Sequence, residues 1–338
     1  MANVSVIGAG SWGTALAVLL RKNGHEVTLW SIMEDEIRMI SEKHEQADKL
    51  PGVRVDESIR LTTNLQEAAQ NRDVIVMAVP SIHIRSTSKS MASHIRYGQL
   101  IVNVAKGIED GTLMTLPDII SQEIPQAEVA LLSGPSHAEE VGIGLPTTVV
   151  AGAKRRRTAE YVQSIFMSDT FRVYTSPDMI GMELGAALKN VIALAAGMAD
   201  GLGYGDNTKA ALITRGMAEI SRLAIAMGAK PETLSGLSGM GDLIVTCASR
   251  HSRNRKAGML MGQGYTMQEA MDEVHMVVEG VYSAKAALAL AKKYEISMPI
   301  IEQVNAVLFD GYPVKEAVSN LMLRDRKSEY QELDWEES

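Results

Sequence analysis

Up to Pro177 the chain alternates short, nearly continuous apolar runs with stretches of helical spacing. The runs are NVSVIG (3–8), HEVTLW (25–30), DVIVMAVP (73–80), QLIVNVAKG (99–107), AEVALLSGP (127–135), TTVVAGA (147–153) and FRVYTSP (171–177). An apolar run without polar alternation predicts a strand covered on both faces, as in a parallel sheet sandwiched by helices. A small-residue helix is expected from Ser11 to about Lys22, and KRRRTAEYVQSIF reads as a charged helix whose basic run, 154–157, is a solvated face. Past Pro177 strand signals nearly vanish. Segments 178–200, 208–228, 231–236, 255–262, 266–274, 280–294, 299–309 and 313–322 carry helical composition and spacing, punctuated by Gly and Pro. The expected architecture is α/β: a doubly wound sheet in residues 1–185, then an all-α domain in 186–325. The polar tail 326–338 has little to bury and is expected to be loosely ordered.

Composition refines this picture in a few places. The chain has 338 residues, enough for two domains of ordinary size. Aromatic residues are only 4% of the total, so the core must be aliphatic, with Ala and 20 Met filling it. A formal net charge of -8 argues against a nucleic-acid partner or an anionic membrane surface, but leaves room for a local basic pocket. Cys247 is the single cysteine, which excludes an internal disulfide and fits a cytoplasmic setting. The opening MANVSVIGAG moves straight into structure, so a cleaved signal is not expected. No membrane span is expected either, because no run approaches the ~18 uninterrupted apolar residues one requires.

The first candidate chemistry lies where the first strand meets its helix. VSVIGAGSWG sets Gly8, Gly10 and Gly13 in a G-x-G-x-x-G arrangement. Gly8 permits a tight turn, Gly10 lets a phosphate approach the backbone, and Gly13 lets helix and strand pack closely. The helix then offers its free N–H groups to a pyrophosphate. An acid or a base at the end of the second strand would select NAD or NADP respectively. Here the chain reads Trp30-Ser31-Ile32-Met33, with Glu34 the first acid and Arg38 the first base. Cofactor choice stays open between the two, and Ser31 is a candidate to hydrogen-bond a ribose hydroxyl.

Four polar islands follow in Gly- and Ala-rich surroundings: VAKG with Lys106, LSGPSHAEEV (133–141), GAALKN with Lys189 and Asn190, and GLSGMGDLIVTCASRHSRNR (236–255). Lys106 follows an apolar strand, at the edge where open α/β sheets bind ligands. In SGPS, Gly134 allows close backbone approach, Pro135 stiffens the loop and Ser136 offers a hydroxyl. Asp242 and Thr246, four apart, share a face if their segment is helical; Asp242 also suits a helix N-cap. Cys247 reads as a small packing residue. RHSRNRK is compatible with a plain basic turn, yet Ser252, Arg253 and Asn254 make a compact set of phosphate donors. Lys189 is the one charged side chain between Glu183 and Asp200. An exposed lysine has a pKa of about 10.4. Burial and a neighbouring cation would push it toward the roughly 7–8 that suits a base at neutral pH. The competing reading is a snorkelling side chain whose head reaches water.

Taken in order, GAGSWG, SGPSHAEEV, ALKN, GMGDLIVTC…SRN and VVEGV (277–281) resemble the soluble bacterial NAD(P)-dependent glycerol-3-phosphate dehydrogenases. The resemblance spans nearly the whole chain. It implies reversible reduction of dihydroxyacetone phosphate to sn-glycerol 3-phosphate for phospholipid precursors, with NAD or NADP as cofactor. It implies Lys189 as proton donor and acceptor, with Asn190 and Asp242 orienting or polarising the reacting group. Substrate contacts are implied for Lys106, Gly134, Ser136, Lys189, Asp242, Thr246, Ser252, Arg253 and Asn254. Cofactor contacts are implied for Gly8, Gly10, Ser11, Trp12, Gly13, Lys106, Ala138, Arg253, Val277 and Glu279. No metal is expected, since the seven His are scattered and no His/Cys cluster has ligand spacing. The small-residue helical domain is compatible with a homodimer. Two rivals stand beside this reading: a β-hydroxy-acid dehydrogenase of the same plan, and a non-catalytic nucleotide sensor, which would need the glycine loop but not the Lys189 set.

Overall fold

Eight strands form one sheet: β1 (Asn3–Ile7), β2 (Glu26–Trp30), β3 (Arg60–Thr62), β4 (Val74–Met77), β5 (Leu100–Asn103), β6 (Glu128–Ser133), β7 (Thr147–Ala153) and β8 (Phe171–Ser176). They are seen in a computed structural model, which describes residues 1–326, 328 and 329. The strand order is β3-β2-β1-β4-β5-β6-β7-β8. The order reverses direction between β1 and β4, and at that switch point a doubly wound sheet leaves a crevice beyond its strand ends. Every strand pair is parallel except β6 with β7. The antiparallel pair differs from the all-parallel expectation, because double-sided burial raises apolarity whichever way a strand runs.

Two further differences have local causes. β3 is a three-residue edge strand, RLT, half in water, and so carries no apolar run. The strands β4, β5 and β6 stop at Met77, Asn103 and Ser133, short of the predicted ends. The residues left over, ending at Pro80, Gly107 and Pro135, are loops at the C-terminal edge of the sheet. Apolar cores pack on both faces of the sheet, and the helix Ser11–Lys22 lies in one of them.

The remaining chain is helical. Its axis is the 23-residue helix Met179–Gly201, which is apolar on nearly every side and therefore buried. Helices Asp206–Ala226, Asp242–Ala248, Arg253–Gly262 and Glu279–Lys293 pack around it, while its first turns lie against β6 and β7. Among the described residues it is the one helix long and apolar enough to cross a membrane, but most of it is enclosed within this bundle. It runs continuously through residue 185, where the sequence reading divides the chain. Small residues make the enclosure possible: a Cβ on Gly185 would stand 2.7 Å from the Ser238 carbonyl oxygen, and one on Gly258 only 2.1 Å from that of Leu194. The basic run 154–157 is exposed, as a solvated face should be. Of the tail 326–338, only Arg326, Ser328 and Glu329 are described; the rest lies outside the described residues.

Candidate active site

The glycine turn closes the end of β1. Gly8 has φ +122°, and a Cβ there would meet the Ala78 carbonyl carbon and oxygen at 2.8 Å. On Gly13 a Cβ would stand 1.8 Å from the Gly8 carbonyl oxygen, so the helix can begin this close to the strand only without a side chain. Gly10 faces open space, with nothing within 4 Å of its Cβ position. Ser11 and Trp12 open the helix, whose unsatisfied N–H groups face that space with no acid in the first turn. The turn therefore fits a dinucleotide pyrophosphate.

From this turn the strand ends lead across the crevice. Ala78 N–H donates to Ile7 and Val104 N–H donates to Met77, so the chain beyond β4 and β5 continues alongside Gly8. Two residues past Val104, Lys106 Nζ donates to the Gly134 carbonyl at 3.1 Å and to Asp242 Oδ2 at 2.6 Å. Ser136 Oγ donates to the same Gly134 carbonyl at 2.9 Å. Ala138 begins the short helix Ala138–Gly142, which packs on Ser11–Lys22.

Asp242 is the centre of the helical side. A wide π-type turn, Leu237–Gly241, delivers it to the start of helix Asp242–Ala248, where its side chain makes no cap bond. Instead Oδ1 accepts from Lys189 Nζ at 2.7 Å. Thr246, one turn on, accepts from Lys189 at 2.6 Å and donates to the Asp242 carbonyl at 2.6 Å. Lys189 is 5% exposed and Asp242 1%, which removes the snorkelling reading. Burial holds the Lys189 ammonium down at about 8; Asp242 opposes this by favouring the charged form, and Lys106 reinforces it. Burial raises the Asp242 carboxyl, but the two ammonium groups outweigh it, and its pKa lies below the usual range. Cys247 is fully buried and burial pushes its thiol up to about 12, so it is an inert packing residue.

Asn190 sits on the next position of the same helix and accepts from Asn254 Nδ2 at 3.0 Å. Asn254 Oδ1 in turn accepts from Gly280 N–H at 2.8 Å. Ser252 accepts from Arg255 N–H at 3.2 Å and so caps helix Arg253–Gly262. Arg253 makes no ion pair within 4 Å among the described residues. Burial lowers its pKa, with Glu279 and Glu139 acting the other way. Arg255, by contrast, is held by Asp200 at 2.6 Å.

Val277 precedes helix Glu279–Lys293 by two residues, and Glu279, its first residue, ties the helical unit back to the chain beyond β4. Glu279 accepts from the backbone N–H of Ser81 at 3.1 Å and from its hydroxyl. Burial raises the Glu279 carboxyl pKa against those bonds. The structure thus connects Lys106, Gly134, Ser136, Asp242, Lys189 and Thr246 in one network, and Asn190 with Asn254 in a second. The glycine turn forms its own group across the crevice. Sequence reasoning missed Ser81, whose partner is 198 positions away with no local signal. It also missed His137, a half-buried ring whose pKa falls to about 4 through partial burial and the nearby Lys189.

A nucleotide turn at the switch point of a doubly wound sheet, facing a helical unit that holds a buried lysine on an aspartate, is the plan of a two-domain dinucleotide-dependent dehydrogenase. Residues 3–159 match the model of the NAD-dependent glycerol-3-phosphate dehydrogenase N-terminus, and 178–319 that of its C-terminus. The chain belongs to the NAD-dependent glycerol-3-phosphate dehydrogenase family. It is 68% identical to glycerol-3-phosphate dehydrogenase (NAD(P)+) of Agathobacter rectalis, over 99% of this chain and 100% of that one. The Bacillus subtilis relative of that name is 52% identical, over 98% and 97% of the two chains. A crystal structure of glycerol-3-phosphate dehydrogenase from Coxiella burnetii superposes with a TM-score of 0.92 at 36% identity, covering 96% of this chain and 99% of that one.

Proposed function

We propose that this protein reversibly reduces dihydroxyacetone phosphate to sn-glycerol 3-phosphate with NAD(H) or NADP(H), and that Lys189 is the proton donor and acceptor. Family membership and the activity carried by the relatives' names support the reaction. The observation that carries the role of Lys189 is its bond to Asp242, the same buried carboxylate that holds Lys106.

When bound, the nicotinamide supplies the hydride to C2, or accepts it in the reverse direction. As C2 is reduced, the Lys189 ammonium gives its proton to the oxygen forming an alkoxide and is left as an amine. In the oxidising direction the amine takes the hydroxyl proton. Lys106 aids the release because a second ammonium nearby disfavours the charged form of the first. Asp242 keeps both lysines in place, with Thr246 fixing the direction of the Lys189 amine and Asn190 polarising the reacting group. Arg253, with no carboxylate partner among the described residues, takes the substrate phosphate together with Ser252 and the amide hydrogen that Asn254 has to spare. Gly134 and Ser136 complete the substrate side. Gly8, Gly10, Ser11, Trp12 and Gly13 cradle the dinucleotide, with Lys106, Ala138, Arg253, Val277 and Glu279 on its nicotinamide side. Holding the phosphate lets binding energy position C2.

The division into a nucleotide unit, 1–185, and a substrate unit, 186–325, belongs to this reading; helix Met179–Gly201 begins against the sheet and ends within the bundle. So do a cytoplasmic setting, a homodimer decided by sedimentation equilibrium, and a role in supplying phospholipid precursors. The test is dihydroxyacetone phosphate reduction, followed with NADH and NADPH in separate reactions and with inorganic phosphate as competitor. Turnover inhibited by phosphate is expected. No turnover of this substrate beside ready turnover of a β-hydroxy acid would contradict the proposal.

A further inference from the structure

In a doubly wound nucleotide fold the residue ending the second strand stands by the adenosine ribose, and an acid there selects a free 2′-hydroxyl. Positions 31 to 33 offer neither acid nor base. The fold brings an acid from further along. Trp30 is pinned beside the glycine turn, because Gly8 N–H donates to its carbonyl at 2.9 Å. The Ser31 hydroxyl then accepts from Met33 N–H at 3.1 Å and donates to Glu36 Oε2 at 2.5 Å. Glu36 thereby folds back from helix Glu34–Lys43 to the strand end, where its side chain is only 14% exposed. Its other oxygen accepts from Lys49. Lys49 lies in the segment that covers the glycine turn, where fully buried Gln46 donates to the Ala9 carbonyl at 2.9 Å. Ser31, Glu36 and Lys49 are thus a connected set beside the nucleotide turn.

We infer that Glu36 selects the coenzyme, and that it makes this protein prefer NAD(H) to NADP(H). The inference rests on the dehydrogenase reading and goes beyond it by choosing between the two cofactors. A 2′-phosphate brings close to two negative charges. It would face Glu36 together with Glu34 and Asp35 of the same helical turn. The cations at hand are already engaged: Lys49 by Glu36, and Arg38 by Asp35 at 2.5 Å. A 2′-hydroxyl meets no such opposition, and it can donate to a carboxylate oxygen that retains lone pairs.

Calorimetric binding of ADP-ribose and 2′-phospho-ADP-ribose to the full chain tests this without turnover. The wild type is expected to bind ADP-ribose at least about tenfold more tightly, since charge repulsion discriminates by rejecting the wrong ligand. Glu36→Gln should narrow the ratio. Lys49→Met should widen it, a direction that general loosening of the segment would not produce. Equal or tighter binding of the 2′-phosphate ligand by the wild type overturns the inference. So does a Glu36→Gln variant whose ratio stays at the wild-type value. Absence of dihydroxyacetone phosphate turnover beside the expected nucleotide ratio would overturn the dehydrogenase reading and leave the selection by Glu36 standing.

Discussion

Lys189 Nζ lies 2.7 Å from Asp242 Oδ1, and both side chains are almost entirely out of water. The two effects on the lysine oppose each other. Burial lowers its pKa and the carboxylate raises it, with burial prevailing to leave it at about 8. Glycerol phosphate oxidation needs the neutral amine, so kcat/KM in that direction should rise with pH through about 8. Ketone reduction needs the ammonium and should decline over the same range. In Asp242→Asn the carboxylate no longer favours the charged form, so the inflection should move to lower pH in both directions. A profile that shifts upward, or does not shift, would contradict the assigned balance.

Arg253 offers a guanidinium with no carboxylate partner among the described residues, in the first turn of the helix that Ser252 caps. Charge-assisted hydrogen bonds contribute about 1.5–3 kcal/mol each, so Arg253→Gln should raise the substrate KM roughly 10- to 100-fold. Inhibition by inorganic phosphate should weaken in parallel. Arg253→Lys should recover only part of the loss, because a point charge lacks the two-pronged geometry. Steady-state kinetics with phosphate as competitor checks all three.

Gly185 lets the helix carrying Lys189 touch the turn that delivers Asp242. A Cβ there would stand 2.7 Å from the Ser238 carbonyl oxygen, which is backbone and cannot rotate away. Gly185→Ala should therefore cost about 1–3 kcal/mol of stability, the usual range for overpacking. It should also lower kcat, since the shift pushes Asp242 away from Lys189. Thermal unfolding and turnover measured on one preparation test the pairing; an unchanged melting midpoint would contradict the close contact.

Much of this architecture was legible in the sequence. The apolar runs located the buried strands, because such strands must be apolar on both faces, and helical spacing located the bundle. Edge strand β3 was not legible, since half its surface meets water and no pattern marks it. Nor was the antiparallel turn of β7, to which apolarity is blind. Lys189 stood out because one charge in a small-residue helix needs a partner, and Asp242 with Thr246 proved to share the face that supplies it. Glu36 gave no such signal. It reaches the strand end only through a helical turn and the Ser31 hydroxyl, a tertiary arrangement five residues out of register with the motif. Ser81 and Glu279 meet across the whole molecule, and no local pattern could pair them.

The central claim, that Lys189 moves the proton, is tested most directly by Lys189→Met, which keeps the length and apolar stem while removing the amine. The measurement is single-turnover reduction of dihydroxyacetone phosphate beside calorimetric binding of the dinucleotide. The account predicts near-native nucleotide affinity with the chemical step slowed by about 10²–10⁴, the usual contribution of a general acid. A chemical step that stays within a few-fold of wild type would contradict it.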